Sequence, residues 1–361
     1  MQAKTTLIFF FLIPLFNLFF QPHLSNASST NITAIFAFGD SVFDPGNNNS
    51  LPTLFRANHW PYGKDFPGQV PTGRFSNGKL TTDILVSQLG IKQLLPAYLD
   101  PKVSDKDLLT GVSFASGGSG LDELTAKENH VLSMVDQLNY FEQALKRMQK
   151  IVGRKEAERI VEKALFMISA GTNDMLFNFY DLPTRRYISL SGYHDFLLNR
   201  LEAFVNELYK MGARKIAVVG FPPIGCLPVQ VTINSLLPSI HMFQRVCVQQ
   251  QNIESQSYNR KLQALISTLR PTLSGSKLVY ADVYNPLLDI IQKPSDYGYD
   301  HILEGCCGTG SLEMGPLCNE FNPTCANPSR YLLWDAVHPT QATNEYLVHI
   351  FQRTVLPQLV D

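Results

Sequence analysis

Ala34-Ile-Phe-Ala-Phe-Gly-Asp-Ser41 is an apolar run that stops at a glycine, an acid and a hydroxyl. Short apolar runs closed by turn residues read as buried strands. The same form recurs at Gly111-Val-Ser-Phe-Ala-Ser-Gly117-Gly118, Ala164-Leu-Phe-Met-Ile-Ser-Ala170 before Gly171, Lys215-Ile-Ala-Val-Val219 before Gly220, and Lys277-Leu-Val-Tyr-Ala281. Helical spacing fills the intervals. Val131, Met134, Leu138, Phe141, Leu145, Met148 and Val152 predict a helix over 131–152. A second holds Phe196 to Leu208 and stops at Gly212, and a third runs from Met242 to Leu269 before Pro271. A last helix after Pro339 carries Tyr346, Leu347, Ile350 and Phe351.

Strand–helix alternation implies crossover connections and a mainly parallel sheet, an α/β fold. Ligands in such sheets gather at the carboxyl ends of the strands. Ser41, Gly117 and Asn173 each lie just past such an end, so the sequence predicts one shared site. The stretches 44–80 and 292–330, rich in Pro, Gly and Asn, read as long loops, which in a compact domain are usually functional or cross-linked.

The bulk composition bounds the function. Thirty basic and 31 acidic residues give a net charge of -1, which argues against a nucleic-acid partner or an electrostatic membrane tether. Hydrophobic residues make up 45% of 361 positions, enough for a sizeable core. At the start, Lys4 precedes an apolar stretch over Leu7 to Phe20, broken by Pro14 and Asn17, and Ser25 and Ala27 suit cleavage after Ala27. Residues 1–27 therefore read as an export signal and 28–361 as a single domain, without stable membrane insertion. The plain alternative for the leader is a membrane anchor. Asn26, Asn31 and Asn48 each open an Asn-x-Ser/Thr triplet; Asn31 and Asn48 are the glycosylation candidates left after cleavage, with Asn48 crowded by its nearness to Ser41.

Two downstream clusters supply chemistry: Gly171-Thr-Asn173-Asp174 and Asp335-Ala-Val-His338-Pro339. An Asp three residues before a His can accept the Nδ1 proton, which frees Nε2 to take a proton from a hydroxyl. An amide at Asn173 and a backbone N–H at a tight glycine turn can hold an oxyanion. Each signal has a bland counterpart. Ser41 can be a turn or helix-cap residue, Asp335 and His338 a local pair, Gly-Thr-Asn-Asp simple turn chemistry, and Gly117 one loop glycine among several.

Taken together and in this order, the set resembles the GDSL esterase/lipase family, also called SGNH hydrolases, in its plant secreted branch. Phe38-Gly-Asp-Ser-Val-Phe-Asp-Pro-Gly-Asn-Asn-Asn49 is similar to the first block, with Val42 where Leu is usual. Phe114 to Gly120 resembles the second block, Gly171 to Asp174 the third, and Trp334 to Pro339 the fifth. Phe221-Pro-Pro-Ile-Gly-Cys-Leu-Pro228 and Gly305-Cys-Cys-Gly-Thr-Gly310 fit the plant branch. The resemblance implies a three-layer α/β/α sandwich, SGNH hydrolase or flavodoxin-like. It implies Ser41 as nucleophile, His338 as base, Asp335 as its orienting carboxylate, and an oxyanion hole of the Ser41 and Gly117 N–H groups with the Asn173 amide. No metal and no cofactor is expected. No Gly-x-Ser-x-Gly elbow is present, which argues against the ordinary α/β-hydrolase fold.

The resemblance implies a secreted, extracellular carboxylic ester hydrolase of the apoplast or cell wall, acting on acyl lipids or small esters. Removal of O-acetyl groups from cell-wall polysaccharide and acyl transfer to an alcohol would use the same site. A non-catalytic binding glycoprotein is the rival from another class, and a peptidase a third; oligomeric state stays open. Cys226, Cys247, Cys306, Cys307, Cys318 and Cys325 all fall in the second half, an even number that after a leader favours disulfides. Cys226–Cys247 is the preferred pair, adjacent Cys306 and Cys307 are not expected to bond to each other, and the other pairings stay open. Four-thiol zinc ligation is the alternative.

Overall fold

The computed structural model describes residues 31–238 and 242–360. The export signal expected at residues 1–27 lies outside the described residues. Residues 31 onward pack as one unit. Its centre is a parallel sheet of β1 (Ile35–Gly39), β2 (Leu165–Ser169), β3 (Lys215–Val219) and β4 (Lys277–Ala281), paired in that order.

The segment expected as a strand at 111–118 runs beside β1 without becoming a regular strand. Ala37 N donates to Val112 O, Phe114 N to Ala37 O and Ser116 N to Gly39 O. On its outer side Ser113 donates to Pro96 O and accepts the Tyr98 N–H in one isolated bridge, and Asn47 Nδ2 donates to the carbonyls of Ser113 and Ala115 in place of a longer ladder. Counting this segment, the order along the sheet by chain position is second, first, third, fourth, fifth. That is the flavodoxin-like order, whose switch point falls between β1 and β2.

Side-chain alternation builds the layers. Phe36, Phe38 and Phe166 face one way, toward the helices α2 (Met134–Val152), α3 (Leu190–Lys210) and α4 (Gln249–Leu269), through Phe141, Leu201, Phe204 and Leu262. Phe38 packs on Phe141 with ring centroids 5.8 Å apart, nearly perpendicular. Ile35, Ala37, Leu165 and Met167 face the other way, toward α1 (Thr81–Gln88) and α5 (Gln341–Thr354), through Leu85, Val348 and Phe351. This is the expected three-layer sandwich.

Two helix starts differ from expectation. α2 begins at Met134 because Ser133 accepts the Asp136 N–H while the Asp136 carboxylate accepts the Ser133 N–H, a capping box. α4 begins at Gln249 rather than Met242, because Cys247 is bridged to Cys226 and Val248 N donates to Gly225 O. A short parallel pair was not expected: β5 (His301–Gly305), inside the loop 292–330, with β6 (Tyr331–Leu333), just after it.

All six cysteines are paired: Cys226–Cys247, Cys306–Cys325 and Cys307–Cys318. The preferred pair is present, the adjacent cysteines bond outward, and no thiol is left for zinc. Among the described residues no helix is long and apolar enough to cross a membrane.

Candidate active site

Gly39 sets the exit from β1. It has φ +120°, and a Cβ there would lie 1.7 Å from Ser169 O, so only glycine lets the chain turn this close to β2. The buried Gln137 side chain clamps that glycine, accepting its N–H and donating to its carbonyl. Asp40 Oδ1 then accepts the Val42 N–H, and Ser41 is left at the carboxyl edge beside the switch point. Burial pushes the Asp40 carboxyl up to about 7.

His338 comes from the turn after β6. Its Nε2 is 2.7 Å from Ser41 Oγ, and its Nδ1 is 2.7 Å from Asp335 Oδ2 and 2.9 Å from Oδ1. Asp335 is fully buried, and its Oδ1 also accepts the N–H groups of Val337 and His338. The carboxylate is thus fixed before it orients the imidazole. Phe75 lies over the His338 ring with centroids 4.8 Å apart.

The sequence missed one residue of this array. Tyr62, fully buried, donates its hydroxyl to Asp335 Oδ2 at 2.7 Å and accepts the Gly315 N–H at 2.7 Å. Burial and the neighbouring Asp335 charge push the Tyr62 phenol well above its ordinary range, so it remains a donor. Gly315 lies between Cys307 and Cys318, so the disulfide-closed loop reaches the carboxylate through one hydroxyl. Tyr62 sits in the Pro/Gly-rich stretch 44–80 with no periodicity around it, and nothing in the sequence marks it.

The oxyanion side also differs from expectation. Gly117 N–H donates to Asp44 Oδ2 at 2.9 Å and is already committed. Gly118, at φ +83°, lines the cavity at Ser41 with Asn173 and His338. Neither its N–H nor that of Ser41 has an acceptor among the described residues. Gly117, expected as the second backbone donor, thus has its N–H held by Asp44, and the neighbouring N–H left without an acceptor is that of Gly118. Asp44 also accepts the Gly46 and Asn47 N–H groups, and burial pushes its carboxyl up to about 6.

Asn173 spends one amide hydrogen on Ser119 O at 2.8 Å, leaving the other toward the cavity it shares with Ser41. It immediately precedes a wide π-type helix, Asp174–Asp181, a geometry that recurs at functional sites. Asp174 accepts the N–H groups of Leu121 and Asp122 and the hydroxyl of Thr125, tying the second and third sequence blocks together. Burial pushes it up to about 7.

Asn48 cannot carry the glycan considered for it. It is 1% exposed, and its Nδ2 donates to Phe55 O and Gly117 O, so both amide hydrogens are used inside the fold. Asn31 is exposed. Among the described residues no group of His, Cys, Asp and Glu could hold a metal ion.

A parallel α/β/α sandwich with a Ser–His–Asp array at its switch point defines a protein of the serine-hydrolase type. The sequence pattern of the GDSL-like Lipase/Acylhydrolase family matches residues 35–351, and the chain belongs to that family. GDSL esterase/lipase At2g40250 of Arabidopsis thaliana is 52% identical over 93% of this chain and 94% of its own. GDSL esterase/lipase At2g31550 of the same plant is 48% identical over 86% of each chain.

Proposed function

We propose that this chain is a secreted carboxylic ester hydrolase that works through an acyl-enzyme on Ser41. The observation that carries this is the unbroken array from Ser41 Oγ to His338 Nε2, and from His338 Nδ1 to Asp335. Ser41 Oγ attacks the ester carbonyl as His338 Nε2 takes its proton. The carbonyl oxygen becomes an oxyanion facing the N–H groups of Ser41 and Gly118 and the free Asn173 amide hydrogen. On collapse the C–O bond to the alcohol breaks, and His338 gives its proton to the leaving oxygen. Water then attacks the acyl-enzyme with His338 again as base, releasing the carboxylic acid and restoring Ser41. Asp335 keeps one imidazole tautomer and stabilises the imidazolium. The three disulfides and the exposed Asn31 of an Asn-x-Thr triplet support an oxidising, extracellular setting.

The test is ester turnover by Ser41→Ala. Loss of several orders of magnitude with an unchanged melting temperature is expected, because a triad without its nucleophile keeps only oxyanion-hole and binding effects. More than a few per cent of wild-type activity in that variant would remove Ser41 as nucleophile.

A further inference from the structure

Two separate cavities meet at Ser41 and Asn173, and their walls differ in one decisive respect. The first, about 740 Å³ with its mouth, includes His338 and Gly118 and is walled by Phe55, Phe75, Phe177 and Leu317. Leu54 and Leu317, 73% and 57% exposed, stand at its rim. The second, about 1110 Å³ with its mouth, lacks His338 and Gly118 and passes under the sheet edge toward α5. Its inner wall is Leu85, Met167, Ala281, Val348, Phe351 and Val355, a gap within the smaller of the two main apolar cores. Of the polar side chains on this wall, Asn344 Nδ2 donates to Lys79 O and Asp282 accepts the Tyr284 N–H, while the Thr81 hydroxyl has no hydrogen-bond partner among the described residues. What faces the space is mainly hydrocarbon.

The tetrahedral intermediate has four substituents, and the site fixes three. One is Ser41 Oγ. The oxyanion faces the N–H groups of Ser41 and Gly118 and the Asn173 amide. The leaving alcohol oxygen must lie within reach of His338 Nε2, which protonates it. The alcohol therefore departs into the cavity that His338 lines, and the acyl group takes the remaining direction, into the cavity that His338 does not reach.

Resting on the esterase function proposed above, we propose that the cavity beneath α5 is an acyl-chain site for a medium-to-long aliphatic chain, and that the His338 cavity takes an apolar alcohol group. Asn344 and Val355 both line the acyl cavity, and the α5 rise between them is roughly 16 Å, the extended length of a chain of about twelve carbons. An acetyl group would leave this space empty, which sets the site apart from removal of acetyl groups from polysaccharide. Apolar burial raises kcat/KM by about fourfold per methylene until the cavity is full.

The test is kcat/KM for p-nitrophenyl esters from acetyl to hexadecanoyl, with a second series that holds the acyl group at octanoyl and lengthens a linear alcohol. In the wild type kcat/KM should rise at least a hundredfold from acetyl to decanoyl and fall beyond about twelve carbons. Ala281→Leu and Val348→Phe fill the acyl cavity and should each lower decanoyl turnover at least tenfold relative to acetyl. Phe177→Ala, in the His338 cavity, should change the alcohol series and leave the acyl optimum in place. Acetyl-ester turnover and a melting curve show whether each variant folds. Should one filling variant fail to fold, the other and the wild-type series still decide. A wild-type profile that is flat or falls with acyl length, with turnover still lost in Ser41→Ala, overturns the acyl site and leaves the esterase function standing. An acyl optimum moved by Phe177→Ala and not by the filling variants reverses the assignment. Full turnover in Ser41→Ala instead overturns the acyl-enzyme on Ser41, and with it the geometry from which both cavities are assigned.

Discussion

Tyr62→Phe removes a single oxygen from the inner end of the array. Phe keeps the ring that packs edge-on to Phe75 and Trp334, with centroids 5.8 and 6.5 Å away. Two hydrogen bonds are lost: the one donated to Asp335 Oδ2 and the one accepted from Gly315 N–H. A bond to a charged buried group is worth about 1.5–3 kcal/mol. Asp335 retains the Val337 and His338 N–H groups, so the carboxylate stays in place with one fewer support. Cost in the transition state, where His338 carries a positive charge that Asp335 must face, should be of that order. A fall in kcat of about 10- to 100-fold is expected, with KM within a factor of two. The orphaned Gly315 N–H should also lower the melting temperature by several degrees. Lost packing alone would act equally in any background. The assay is therefore a double-mutant cycle with Asp335→Asn, measured as kcat on one ester. In the Asp335→Asn background the Tyr62→Phe effect should shrink to less than threefold. An undiminished effect there, or a rise in KM with kcat unchanged, would refute Tyr62 as a residue that positions Asp335.

Asn173→Ala should lower kcat about a hundredfold or more with little change in KM, since its free amide hydrogen meets charge that exists only in the transition state; single-ester kinetics checks it. Opening Cys307–Cys318, which closes a loop of 11-residue separation, should cost about 3 kcal/mol and lower kcat as well, because that loop holds Gly315 against Tyr62. Cys307→Ala/Cys318→Ala measured for melting and turnover decides it, and normal kcat would break the proposed link. His194 is buried with neither ring nitrogen hydrogen-bonded, and burial pushes it down to about 4. A depressed folded-state value gives stability that is present above the unfolded value near 6.5 and lost as pH falls toward 4. His194→Phe should therefore cancel about 2 kcal/mol of acid destabilisation at pH 5, read as melting temperature against pH beside the wild type.

The fold was legible because four strands are short apolar runs ending in turn residues, a pattern that needs no tertiary information. The 112–116 segment is equally strand-like in sequence. It stays short of a regular strand because its outer side meets a single bridge from the 96–98 segment and the Asn47 amide, both from other parts of the chain. The start of α4 was hidden for a similar reason, since helical spacing continues across 242–248 while a disulfide pulls that segment toward Gly225.

At the site, Ser41, Asn173, Asp335 and His338 could be read because each belongs to a local cluster with its own chemistry. Choosing between Gly117 and Gly118 depended on which peptide Asp44 holds, and adjacent glycines carry no mark of that. Asn48 fits a glycosylation triplet, but the triplet says nothing about burial. Tyr62 and Asp335 are 273 residues apart, and only the folded chain brings them together.

Reaction with an alkyl fluorophosphonate, followed by intact-mass and peptide analysis, tests the nucleophile directly. One phosphonyl group per chain on the peptide bearing Ser41 is expected, with loss of ester turnover in step with labelling and no adduct in Ser41→Ala. An adduct on another residue, or full turnover after Ser41 is labelled, would contradict the proposed acyl-enzyme.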